Sequence, residues 1–98
     1  MNMQAMLKQA QKLQKDMLKA QEEVYGMIFE GKSSFVTVKV NGKKELLEVI
    51  IDSDGLDKDE IEMLQDMIVV AINDAFKKVD KATEDKLGPY TKGMPGLF

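Results

Sequence analysis

Met3, Met6, Ala10, Leu13, Met17, Ala20 and Val24 recur at alternating steps of three and four residues, which lays one apolar stripe down an α-helix. Leu7 and Leu18 widen one flank of that stripe. The spacing predicts a helix over residues 2–24, about 35 Å long at roughly 1.5 Å per residue. Successive helical residues turn by about 100°, so Lys8, Lys12, Lys15 and Lys19 fall within about 60° of one another, on the side opposite the stripe. One face of this helix is apolar and the other is a row of lysines.

The period then changes from that of a helix to that of a strand. Gly26 and Gly31 bracket Met27-Ile28-Phe29, a short strand. Phe35 to Val40 alternates strictly, with Val36, Val38 and Val40 on one face. Asn41-Gly42 follows and predicts a two-residue hairpin turn with φ > 0 at both positions. Lys44 to Ile51 returns as the partner strand, with Leu47, Val49 and Ile51 facing inward.

After the turn Asp52-Ser53-Asp54-Gly55, the capping box Asp57-x-x-Glu60 opens a second helix. Its apolar stripe runs through Ile61, Leu64, Ile68, Ala71, Ile72, Ala75, Phe76 and Val79. Gly88-Pro89 is the expected stop, for a length of about 43 Å. The predicted class is α+β: a long N-terminal helix, a three-stranded antiparallel sheet and a long C-terminal helix. Residues 1–89 form one domain, and 90–98 form an extended or flexible C-terminal tail.

Size turns this pattern into an argument about assembly. Three strands spaced by about 4.8 Å make a platform only about 10–15 Å wide. Neither helix can bury its whole stripe on it, and contiguous exposed apolar surface of that extent marks an interface. A two-fold homodimer would cover it; the alternative is a folded-back monomer whose helices pack on each other. The seam residues Met6, Ala10, Leu13 and Met17 are candidates for the dimer interface or for the core.

Charge adds a second layer. The net charge is −3, but residues 1–20 carry four Lys against Asp16, and residues 51–75 carry eight acids against Lys58. Five Lys against three acids make residues 76–98 basic again. There is no Arg; Lys is a mobile point charge without the planar fork that reads guanine. The lysine row is therefore either a solvated face, with Lys12–Asp16 and Lys19–Glu23 as i, i+4 pairs, or a surface for a nucleic-acid backbone.

Chemistry has few footholds. His and Cys are both absent, and Ser33, Ser34 and Ser53 fall in turns without an activating lysine motif, so no catalytic constellation is expected. Aligning Gly55 with the sixth position of a calcium loop puts Ile50 and Ile61 where oxygen ligands are required. Neither a metal, a cofactor nor a small-molecule substrate is expected. No run of apolar residues is long enough to span a membrane, and the opening residues have no apolar signal core.

The run Met6-Leu7-Lys8-Gln9-Ala10-Gln11-Lys12-Leu13-Gln14-Lys15 resembles the opening helix of the YbaB/EbfC family of bacterial nucleoid-associated proteins. The resemblance continues in order through Val36-Thr37-Val38, Asn41-Gly42, Ile51-Asp52, Asp66, Ala71 to Ala75 and Gly93-Met94-Pro95-Gly96. It implies an intertwined, tweezer-like homodimer whose paired helices project from a central sheet and bind double-stranded DNA. Carried onto this chain, it points to Lys8, Lys12, Lys15 and Lys19, with Lys77, Lys78, Lys81 and Lys86 as a second basic cluster. It also implies a cytoplasmic protein at the nucleoid. The alternative is a dimeric adaptor for DNA-repair or replication proteins, docking through the apolar seam or the tail without strong DNA binding of its own.

Overall fold

The computed structural model of the protein describes residues 2–91. The elements run α1 (Met3–Tyr25), β1 (Ile28–Ser33), β2 (Val36–Asn41), β3 (Leu46–Ile51) and α2 (Lys58–Thr91). The three strands form an antiparallel sheet in the order β1-β2-β3, the α+β architecture read from the periodicities. The last seven residues of the expected tail, 92–98, lie outside the described residues.

One face of the sheet carries the core. Val36, Val38 and Val40 point from β2 onto Ala71, Ala75 and Val79 of α2, and all six are buried. Small residues on α2 let the helix lie close to the sheet, and the closest approach is at Gly31. A Cβ there would overlap the Ala71 carbonyl oxygen and come within 2.7 Å of the Ala75 nitrogen. Gly31 therefore does not end the first strand, as its place after Met27-Ile28-Phe29 suggests; it sits inside β1, where only a residue without Cβ fits under α2.

The hairpins also differ from the expectation. The tight connection is Ser34-Phe35, because Ser33 pairs with Val36, and Ser34 has a positive φ of 53°. At Asn41-Gly42 the loop is one residue longer. The Lys44 N–H donates to the Asn41 carbonyl at 3.0 Å, the Asn41 N–H donates to the Glu45 carbonyl at 3.1 Å, and Lys44 takes the left-handed φ of 62°. Gly42 is needed for proximity instead of dihedral freedom: a Cβ on it would collide with the carbonyl of Val24 at the end of α1. The register then shifts, with Val40 opposite Leu46 and Lys39 opposite Glu48. Leu47 is left as the bulged residue, and Leu46 takes the valine-side position expected of Leu47. None of the expected inward residues Leu47, Val49 and Ile51 is buried, because α2 lies over β1 and β2.

α2 begins just after Asp57, whose carbonyl accepts the Glu60 N–H at 3.0 Å. It continues past Gly88 and Pro89 to Thr91, so Tyr90 and Thr91 belong to the helix and not to the tail. Pro89 lies in the last turn, where it removes only one helical hydrogen bond, and the buried Leu87 beside it anchors that turn.

The two helices pack antiparallel at only one end of each. Ala20 and Val24 of α1 are buried, and Glu23 of α1 faces Lys86 of α2. Beyond this junction α1 runs on in one direction and α2 in the other, giving a molecule 71 × 21 × 14 Å. Its radius of gyration is 19.5 Å, against about 13 Å for a compact chain of this length.

Candidate nucleic-acid interface

α1 is capped at its start by Asn2, whose side-chain oxygen accepts the Gln4 N–H at 3.0 Å. Every residue from Asn2 to Lys15 is exposed. Among the described residues, the first half of the helix therefore stands clear of the other elements as a spike. Ala20 and Val24 carry the apolar stripe onto α2, whereas Met6, Ala10 and Leu13 stay exposed and Met17 is half-buried. The seam serves the core only over its second half.

Lys8, Lys12, Lys15 and Lys19 are all exposed along one side of this spike. Among the described residues, none of their ammonium groups makes an ion pair or a hydrogen bond. The i, i+4 pairs open to Lys12 and Lys19 do not form: Glu23, four residues after Lys19, pairs with Lys86 at 3.2 Å instead. Glu22, one turn after Lys19, is exposed at the base of the row.

The second basic cluster is different. Lys78 donates to the Glu30 carbonyl at 2.7 Å and lies 3.7 Å from Asp74, so it ties α2 to the edge of β1. Lys86 ties α2 to α1 through Glu23. Lys77 and Lys81 are exposed; they sit about 40° apart on the helical wheel, while Lys86 is more than a quarter-turn away from both. The structure thus brings Lys8, Lys12, Lys15 and Lys19 onto one face but does not gather Lys77, Lys78, Lys81 and Lys86 into a patch.

Because the helices are antiparallel, the acidic residues at the start of α2 lie at the far end of the long axis from the lysine spike. Asp52, Asp54, Asp57, Asp59, Glu60 and Glu62 precede or open α2, beyond the sheet. A net charge of −3 is therefore a poor description of what a polyanion would meet at the α1 end.

A second set of residues is conspicuous, and no single motif in the sequence announces it. All six residues of β3 are exposed, including Leu46, Leu47, Val49, Ile50 and Ile51. So are Ile61, Met63, Val69 and Val70 on the first half of α2. Two signals in the chain point to this surface. The strand Leu46-Leu47-Glu48-Val49-Ile50-Ile51 lacks polar alternation, and between Ile61 and Val70 only Glu62, Gln65 and Asp66 are polar, so apolar residues spread well beyond one face of the helix.

The chain is similar to known proteins over nearly its whole length. The sequence pattern of the YbaB/EbfC DNA-binding family matches residues 1–94. A nucleoid-associated protein of Lactococcus lactis subsp. cremoris (strain MG1363) is 50% identical, over 97% of this chain and 98% of its own. One from Enterococcus faecalis (strain ATCC 700802 / V583) is 46% identical, over 98% of this chain and 94% of its own. One from Ligilactobacillus salivarius (strain UCC118) is 43% identical, over 99% and 95%. Among the described residues no helix is long and apolar enough to cross a membrane.

Proposed function

The chain belongs to the YbaB/EbfC DNA-binding family, and from that premise we propose that it binds duplex DNA at the bacterial nucleoid as a homodimer, through the lysine face of α1. The observation that carries this reading is the unpaired row Lys8, Lys12, Lys15 and Lys19 on a helix that projects away from the acidic end of the molecule. The row is about 16 Å long at roughly 1.5 Å per residue, and DNA presents a charge every ~1.7 Å of its axis. Lysine ammonium groups engage phosphate as point charges and read no base edges. Binding is then driven by counterion release, with little sequence discrimination.

The homodimer rests on the uncovered surface of β3 and the first half of α2. The protein exposes 7505 Å², about 1,900 Å² more than the roughly 5,600 Å² of a compact 11.0 kDa monomer. A helix whose apolar surface is wider than the face it packs on the sheet needs further cover, and an uncovered apolar edge strand is a template for pairing. A two-fold partner presenting the same surface supplies both.

The test is a fluorescence-anisotropy titration of a labelled duplex of about 30 base pairs, long enough to meet many phosphates, at low and near-physiological salt. The wild type is expected to bind tightly at low salt, and the combined Lys8→Glu, Lys12→Glu, Lys15→Glu variant is expected to lose binding while keeping its fold. Retained binding in that variant moves the contact away from α1. Absence of binding by the wild type even at low salt favours the adaptor reading, in which the exposed apolar surface docks a repair or replication protein.

A further inference from the structure

The tip of α1 carries an apolar row that neither the core nor the lysine face uses. Met3, Met6, Leu7 and Leu13 are 84%, 51%, 60% and 48% exposed, and Ala10 lies between them on the same face. An isolated helical stretch this short is marginal in water, and among the described residues its apolar side meets no other element. We propose that this seam is a self-association surface, pairing with the same seam of a second copy of the chain, at the opposite end of the molecule from the β3 and α2 surface.

The charge pattern selects a second copy as the occupant. With Met3, Ala10 and Met17 at one core position of a heptad and Met6 and Leu13 at the other, the positions flanking the seam are Asn2, Leu7, Gln9, Gln14 and Asp16. None is a cation, and Asp16 alone is charged. The lysines fall at outer positions, pointing away from the seam. Two tips, each strongly basic overall, can therefore meet without placing lysine against lysine. An acidic partner helix would gain nothing from this seam, because the flanks that choose partners by charge offer it no cation and include Asp16. Pairing also leaves both lysine rows on the outside, open to phosphate.

The chain contains no cysteine, so a single introduced thiol reports only on its own surroundings. Ala10 is central in the row, and its counterpart stays near it in a parallel or an antiparallel pair. A disulfide requires Cα atoms within about 7 Å. Ala10→Cys in the full chain, treated with a mild oxidant at low protein concentration, is expected to give a covalent dimer, while Lys8→Cys on the lysine side is expected not to. Adding Met6→Glu and Leu13→Glu to Ala10→Cys should abolish the cross-link. No cross-link from Ala10→Cys, or equal cross-linking from Lys8→Cys, overturns the proposal. Repeating the reaction with Ile50→Glu present separates the two surfaces. If Ala10→Cys still cross-links when sedimentation shows the β3-mediated dimer lost, the tip seam acts by itself. Loss of the cross-link there overturns its independence.

Discussion

Gly31 of β1 lies directly beneath Ala71 of α2, so close that a Cβ on the glycine would fall on the alanine's carbonyl oxygen. The obstacle is backbone on a long, packed helix, so it cannot swing aside as a side chain would. Gly31→Ala is expected to push α2 off the sheet and destabilise the protein by about 3 kcal/mol, the upper range for overpacking a core. Gly55→Ala is the control, since a Cβ there meets nothing within 4 Å, and it should change stability by under ~0.5 kcal/mol. Urea unfolding of the two variants side by side reads the difference; equal midpoints would mean that α2 can lift from β1 without penalty.

Ser34 tells a similar story in the opposite direction. It is the first of the two residues linking Ser33 to Val36 and holds a φ of 53°, where a side chain is crowded and glycine is not. Ser34→Gly is expected to raise stability, by about 1 kcal/mol at most, because relief of strain is offset by a more flexible unfolded chain. A lower thermal midpoint for this variant would show that the turn is not strained.

Much of the architecture is legible from periodicity alone. The valine alternation in β2 and the small-residue stripe of α2 identify both halves of the core, because each period allows only one buried face. What periodicity does not convey is distance between backbones. Gly31 and Gly42 read as punctuation along the chain, yet both are needed where one backbone crosses another. The Asn41-Gly42 pair matches a two-residue turn locally, but the turn is set by Asn41: its side-chain oxygen accepts the Lys43 and Glu45 N–H groups at 2.9 and 3.0 Å, which favours the longer loop. Among the site residues, the α1 row follows directly from helical spacing. The status of Lys78 and Lys86 does not, because their partners Glu30 and Glu23 lie 48 and 63 residues away along the chain.

The homodimer has its own test in β3. Ile50 lies on an exposed strand and is 39% accessible, and its partner across the sheet, Thr37, leaves it outside the valine core. Ile50→Glu should therefore leave the protomer folded by circular dichroism while shifting sedimentation from dimer to monomer, since a buried unpaired charge is strongly destabilising at an apolar interface. A dimer that persists unchanged would move the interface off this strand.

Individual lysines can be ranked by what already holds them. If each protomer of a dimer sets four lysines on phosphate, eight contacts give a salt slope near −7, and a fourfold rise in salt should weaken binding by about four decades. Lys8→Ala and Lys15→Ala, which break no ion pair or hydrogen bond among the described residues, should each lower the slope by about two per dimer, one for each copy. Lys86→Ala removes an ion pair with Glu23 whose side chains are 46% and 56% exposed. That pair is worth under about 1 kcal/mol at such a surface, so stability should hardly change. Lys86 lines a groove beside Lys19 at the base of the α1 row, but Glu23 already engages its charge, so its replacement should also leave the salt slope close to that of the wild type. Anisotropy titrations of the three variants across a salt series decide the matter: a fall in slope for Lys86→Ala equal to that for Lys8→Ala would place α2 in direct contact with the duplex and displace α1 as the sole binding face.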